Sequence, residues 1–191
     1  MNADAILRVT VALRERLKVA LSRSQVPGTV FVGPLDDPDA SGAALVLFLY
    51  RIAPAANLRN LEHRVPSGKS KPEPSVVVYR NSFPLDLYFL LTVGTTPGSS
   101  EETLLKALGY AIQEIQNVPD LVGSDVGHET VHVTFESLTT EDASRIWALF
   151  PTANYRTSIA YLATPVWIDP PDPVALPEPV GHHELFAGVK A

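Results

Sequence analysis

Residues 83–116, FPLDLYFLLTVGTTPGSSEETLLKALGYAIQEIQ, constrain the fold more than any other stretch of the chain. From Leu85 to Val93 every odd position is apolar (Leu85, Leu87, Phe89, Leu91, Val93), the period-2 pattern of a strand with one buried face. On the even positions Tyr88 and Leu90 stand between Asp86 and Thr92, so the second face is partly covered too. Gly94, Pro97 and Gly98 end the strand. Ser99 then precedes Glu102 by three residues, the capping-box spacing that satisfies free amides at a helix start. Leu104, Leu108, Ala111, Ile112 and Ile115 follow at helical spacing and form an apolar stripe that requires a sheet to lie on. The unit is a strand followed by the helix that covers its sheet.

The flanking sequence supplies the rest of a layered α+β domain. Residues 3–23 read as an amphipathic helix, with Ile6, Val9, Leu13, Leu17, Ala20 and Leu21 on one face and Arg8, Glu15, Arg16 and Lys18 mostly off it. Pro27-Gly28 breaks the helix, and residues 29–32 read as a short strand. The segment GPLDDPDASG (33–42) reads as a solvated acidic turn, because a calcium loop needs alternating oxygen ligands and a closing glutamate that it lacks. Residues 43–52, AALVLFLYRI, are apolar at both parities and predict a central strand covered on both sides. Residues 53–75, with four prolines and little periodicity, predict a long surface excursion. Residues 76–79 predict a short strand and 120–127 a loop.

Residues 129–136 alternate, with Val131, Val133 and Phe135 opposite His132, Thr134 and Glu136, as a half-solvated strand does. Thr139 and Asp142 mark a third, shorter helix running to Phe150 and turning Ala143, Ile146, Trp147 and Phe150 inward. Residues 155–168 predict the last strand, with a bulge or an edge at Pro165. This divides the chain into a domain, residues 1–169, and a proline-rich C-terminal arm, residues 170–191, expected to be extended. The expected sheet has about five or six strands, mainly antiparallel, with two main helices packed on it.

Composition narrows the function classes. A net charge of −6 argues against a protein that holds nucleic acid by neutralising phosphates. The chain has no cysteine, which removes disulfides, thiol chemistry and cysteine-ligated metals. No stretch reaches the roughly 18–20 uninterrupted apolar residues of a membrane span, and the charged N-terminal helix does not resemble a cleaved secretion signal. The expectation is a soluble protein with no direct membrane insertion.

No constellation of residues supports catalysis or a cofactor. His128 and His132 fall on one face of a strand roughly 13 Å apart, too far to share a metal ion. His182-His183-Glu184 is an adventitious metal binder at most, and no serine sits in a Gly-x-Ser-x-Gly elbow. Gly68-Lys69-Ser70 imitates the end of a phosphate-binding loop, but His63 stands where its first glycine is required. Asp86 is the one carboxylate in a strongly apolar strand, and a pairing with an arginine on a partly exposed face accounts for it. An enzyme with an unrecognised site is the remaining alternative, and it would show loss of a measurable activity on mutating Asp86 or His132 without loss of folding. The long loop and the arm instead have the reach to lie across neighbours in an assembly.

The order of motifs resembles a known family. Leu47-Phe48-Leu49-Tyr50 with Leu58-Arg59-Asn60, the strand from Pro84 to Thr92, the helix sequence EETLLKALGYAIQEIQNVPDL (101–121), the short helix with Trp147 and YRTSIAYLATPVWID (155–169) follow one another as in the N-terminal domain of cap proteins of extracellular contractile injection systems, of the antifeeding-prophage and virulence-cassette type. The likeness covers residues 3–169. Tyr88-Phe89-Leu90 and the linker SGKSKPEPS depart from the family's usual HYL and arginine-rich linkers.

The resemblance implies a tail-terminator-like fold and no catalysis. It also implies a homo-oligomer, a sixfold ring at the baseplate-distal end of the particle, that ends growth of the inner tube and contractile sheath and assembles in the cytoplasm. A phage tail-terminator or tail-completion protein is the alternative of the same fold. The residues expected to touch partners are Asn57, Arg59, Asn60, Lys69 and Lys71 in the excursion, and Leu185 and Phe186 in the arm. Arg59 has a second reading, as a loop arginine tied down within its own subunit.

Overall fold

The computed structural model describes residues 3–66, 76–127 and 129–173. Its centre is β5 (Phe83–Val93), whose alternating apolar face is covered as its pattern requires. β5 pairs antiparallel on one side with β2 (Ala43–Pro54) and on the other with β8 (Ser158–Ile168). Beyond β2 lies β1 (Thr29–Val32), and beyond β8 lie β7 (Glu129–Glu136) and β6 (Asp120–Gly123), giving the order β1-β2-β5-β8-β7-β6. Every pairing in this six-stranded sheet is antiparallel except β1 with β2. The mixed α+β class and the strand number are those expected.

Two helices, α1 (Ala5–Ser24) and α2 (Glu101–Asn117), cover one face of the sheet. Val9, Leu13, Leu17 and Leu21 from α1 and Leu104, Leu108, Ala111 and Ile115 from α2 meet Leu45, Leu47, Leu87, Phe89, Leu91 and Tyr161 in one core. The stripes fit because both helices repeat their apolar residues every three or four positions. On the other face α3 (Thr140–Trp147) sets Trp147 against Leu90 and Ala160. A 3-10 turn, Pro38–Ala40, adds a small cluster of Ala40, Ala43 and Val46 there.

Several local expectations are corrected. The N-cap of α2 is Ser100, whose hydroxyl accepts from the Thr103 amide, and not Ser99; Ser99 bonds back to Thr96 in the preceding turn. The excursion expected over 53–75 contains a strand, β3 (His63–Pro66), which forms a separate antiparallel pair with β4 (Val76–Tyr79). The loop expected at 120–127 contains edge strand β6 and a 3-10 turn, Ser124–Val126. β2 is buried on both faces only from Ala43 to Leu47, and its second half emerges from the core. Phe135, expected inward beside Val131 and Val133, is 55% exposed. Of the two readings for Pro165 the bulge holds and the edge does not: in the interior strand β8, Thr164 and Pro165 together oppose the single residue Asp86 of β5.

Arg16 ties the start of β6 to α1 by donating to the carbonyls of Val118 and Asp120. Arg16→Met keeps the stem and removes both donors, and should cost about 1–2 kcal/mol in denaturant unfolding. Amide exchange across Asp120–Gly123 should quicken more than exchange in β5. Uniform quickening in both strands would show that Arg16 has no local role.

Candidate functional site

The expected contact residues of the excursion stand on an anchored turn. Ala55 is fully buried, and its amide donates to the Pro84 carbonyl at 2.9 Å, fastening the end of β2 to β5. A 3-10 turn, Ala56–Leu58, follows, closed by Leu58 to Ala55 and Leu61 to Leu58 bonds. Asn57, Arg59 and Asn60 project from it, all exposed. None of the three side chains has a hydrogen bond or ion pair to a described residue. The turn therefore displays two amides and a guanidinium on a fixed support. Lys69, Lys71, Leu185, Phe186, His128 and the His182-His183-Glu184 group lie outside the described residues.

Next to this turn is a cluster that sequence reading missed. His63, the first residue of β3, is 7% exposed and stacks on Trp167 of β8 at 4.5 Å and 7° between ring planes. Tyr79 of β4 lies on it at 6.4 Å and 30°. The two nitrogens of His63 face two carboxylates: Nδ1 is 2.8 Å from Asp169 Oδ1, and Nε2 is 3.3 Å from Glu129 Oε2. The Ser82 hydroxyl donates to the same Asp169 oxygen at 2.7 Å. Burial alone would push the His63 pKa down, but the hydrogen bonds to Glu129 and Asp169 outweigh it and hold the imidazole above its ordinary 6.5. The donor atoms lie within 4.8 Å of one another, yet the carboxylates address opposite ring nitrogens. That is the geometry of a carboxylate–imidazole–carboxylate chain.

A shallow apolar groove of about 510 Å³ runs between the outer side of α1 and β6. Leu7, Val11 and Val19 of α1 and Val122 of β6 are its exposed walls, with Arg8, Glu15, Arg16 and Asp125 at the rim. Arg8 is paired with Asp4 at 2.7 Å. The sequence signal for the groove was present, as Leu7, Val11 and Val19 repeat at helical spacing on a second line of α1; the more continuous core stripe obscured it.

The remaining candidates have local partners. Asp86 accepts a hydrogen bond from Thr164 Oγ1 at 2.5 Å, in place of the expected arginine. His132 is exposed and faces Asp120 of β6 at 2.5 Å. Asp37 caps its 3-10 turn by accepting from the Asp39 amide at 2.9 Å. No helix among the described residues is long and apolar enough to cross a membrane.

The fold has counterparts among solved structures. The sheath/tube terminator of an extracellular contractile injection system, PVC, in its extended state superimposes with a TM-score of 0.60 at 15% identity, over 100% of this chain and 66% of that one. The anti-feeding prophage cap, a tube terminating cap, does so with a TM-score of 0.63 at 18% identity, over 94% of this chain and 60% of that one. This chain thus spans about three-fifths to two-thirds of the length of those relatives. No curated protein matches the sequence. Residues 8–182 match the Pvc16 N-terminal domain family, and the chain belongs to that family.

Proposed function

We propose that this chain is a structural cap that ends a contractile tail-like particle. The observation that carries the reading is the family match over residues 8–182, joined to a fold shared with two tube terminators over nearly all of this chain. Copies assemble into a closed ring, taken as sixfold, on the last layer of inner tube and sheath. An open-ended heterologous stack is terminated by a cyclic one when one ring face fits the final layer and the other offers no further docking surface. The particle assembles in the cytoplasm and takes no nucleic acid into the contact.

The exposed Asn57, Arg59 and Asn60 on their anchored turn are contact residues in this reading, together with Lys69 and Lys71. Residues 1–169 form the capping domain. The arm, residues 170–191, lies on a neighbouring subunit or the sheath through Leu185 and Phe186. The role in this reading is structural and not catalytic, which the likeness to two tube-terminating caps supports.

The test is to purify a tagged copy from cells that make such particles and image what accompanies it. Tubes or sheathed particles labelled at one end support the cap; a clean monomer free of tube and sheath protein overturns it. In the same assay Arg59→Glu should lower the labelled fraction by about tenfold, the effect of losing about 1.4 kcal/mol of docking energy, while leaving thermal unfolding unchanged. Truncation after Asp169 should impair ring formation or capping, and full activity of the truncated chain would remove the arm from the contact.

A further inference from the structure

We propose that protonated His63 is a latch that fastens the β3–β4 hairpin and the exit of the C-terminal segment to the sheet, so that rising pH releases them. Hydrogen-bond valence limits what the ring can hold. A neutral imidazole has one N–H and can donate to one carboxylate; only the imidazolium donates from both nitrogens. His63 has a carboxylate oxygen at each nitrogen, 2.8 Å from Nδ1 and 3.3 Å from Nε2. The ring is confined by Trp167 and Tyr79 and cannot swing to a new partner without unstacking. Loss of a proton therefore sets a ring lone pair against a carboxylate oxygen in a buried site, which is repulsive.

The two carboxylates are not equivalent. Asp169 also takes the Ser82 hydroxyl, and its contact with His63 is the shorter one. The Nδ1 proton stays with Asp169, and the contact from Nε2 to Glu129 is the one given up. Glu129 is the first residue of β7, so that step detaches the hairpin from the far side of the sheet. Asp169 follows the last residue of β8, so the same ring fixes where the chain leaves the domain. Among the described residues, the other cationic groups beside the hairpin, Arg64 and Arg80, both pair with Glu62 at 3.4 Å. Tyr79 faces it from β4.

The direction in pH follows from the sign of the shift. The folded His63 pKa is raised above 6.5, so the latch is complete below that value and is lost as pH rises through the raised one. Each unit of elevation is a tenfold change in the latch equilibrium.

The full chain is titrated from pH 5.5 to 9, following the His63 ring proton by NMR and amide exchange of β3 and β4, corrected for intrinsic base catalysis. The expected result is a midpoint above 6.5, with about tenfold faster exchange in the hairpin across that midpoint while β5 is unchanged. Glu129→Gln should bring the midpoint down and flatten the hairpin profile, because a neutral amide gains nothing from the second proton. His63→Phe, which keeps the stacking, should abolish the pH dependence. A midpoint at or below 6.5, or hairpin exchange that is flat through the His63 titration, overturns the latch. Both readouts use the isolated chain, so they stand or fall independently of capping.

Discussion

Phe89→Ala is expected to cost about 3–5 kcal/mol of folding stability. Phe89 is fully buried at the middle of β5, opposite Leu49 of β2 and Tyr161 of β8. Both neighbours sit in the same core, and α1 and α2 close it from above. No exposed edge lies close enough for the surroundings to collapse into the space, so the lost transfer energy and the cavity add. A domain of ordinary size is stable by about 5–15 kcal/mol in total, so the variant gives up a large share of what holds it. Urea unfolding should show a lower midpoint at unchanged slope. Phe83→Ala is the control: this residue opens the same strand but is 45% exposed, and it should cost less than about 1 kcal/mol. Equal losses at the two positions would mean that β5 is not the centre of the core.

Gly94→Ala is expected to be nearly as damaging, on the order of 3 kcal/mol, although it adds one methyl group. Gly94 follows the last residue of β5 and lies against the start of β2, and a Cβ there would meet the Ala43 carbonyl oxygen at 2.0 Å and its carbon at 2.7 Å. Those are backbone atoms of a strand whose Ala43 and Ala44 are buried. The Gly94 amide also donates to the Ala44 carbonyl at 2.9 Å, and its own carbonyl accepts from Arg156. The methyl group can fit only by separating β2 from β5. Gly98→Ala distinguishes crowding from backbone strain. Gly98 has φ +78°, and a Cβ at that position would have nothing within 4 Å, so only the left-handed strain of about 1–2 kcal/mol applies. Thermal unfolding of the two variants should rank Gly94→Ala clearly below Gly98→Ala, and the reverse order would sink the steric account.

The exposed turn proposed as a contact and the proposed latch differ in how far they could be read from residues alone. Asn57, Arg59 and Asn60 lie in a proline-flanked polar stretch, and their exposure follows from composition. What the fold adds is the support beneath them, the buried Ala55 bonded to Pro84. The latch had no local signature, since His63, Glu129 and Asp169 are separated by 66 and 40 residues and meet only because β3 folds back over the sheet.

Long periodic segments declared themselves in the residues. The strand through Phe89, the helices through Leu13 and Leu108 and the alternating run at Val131 and Val133 each repeat an apolar residue often enough to give the period and the buried face. They also sufficed to set the α+β class and the order of motifs by which the chain resembles its family. Of the four-residue strands, β1 and β4 were legible, but β3 and β6 were not: they are too short to show a period, and each exists because the next strand, β4 or β7, completes its hydrogen bonds. The shift of the α2 cap from Ser99 to Ser100, the exposure of Phe135 and the partner of Asp86 were likewise decided by three-dimensional placement. Local sequence determines which face of a segment avoids water; only tertiary structure determines which groups, far apart along the chain, come within bonding distance.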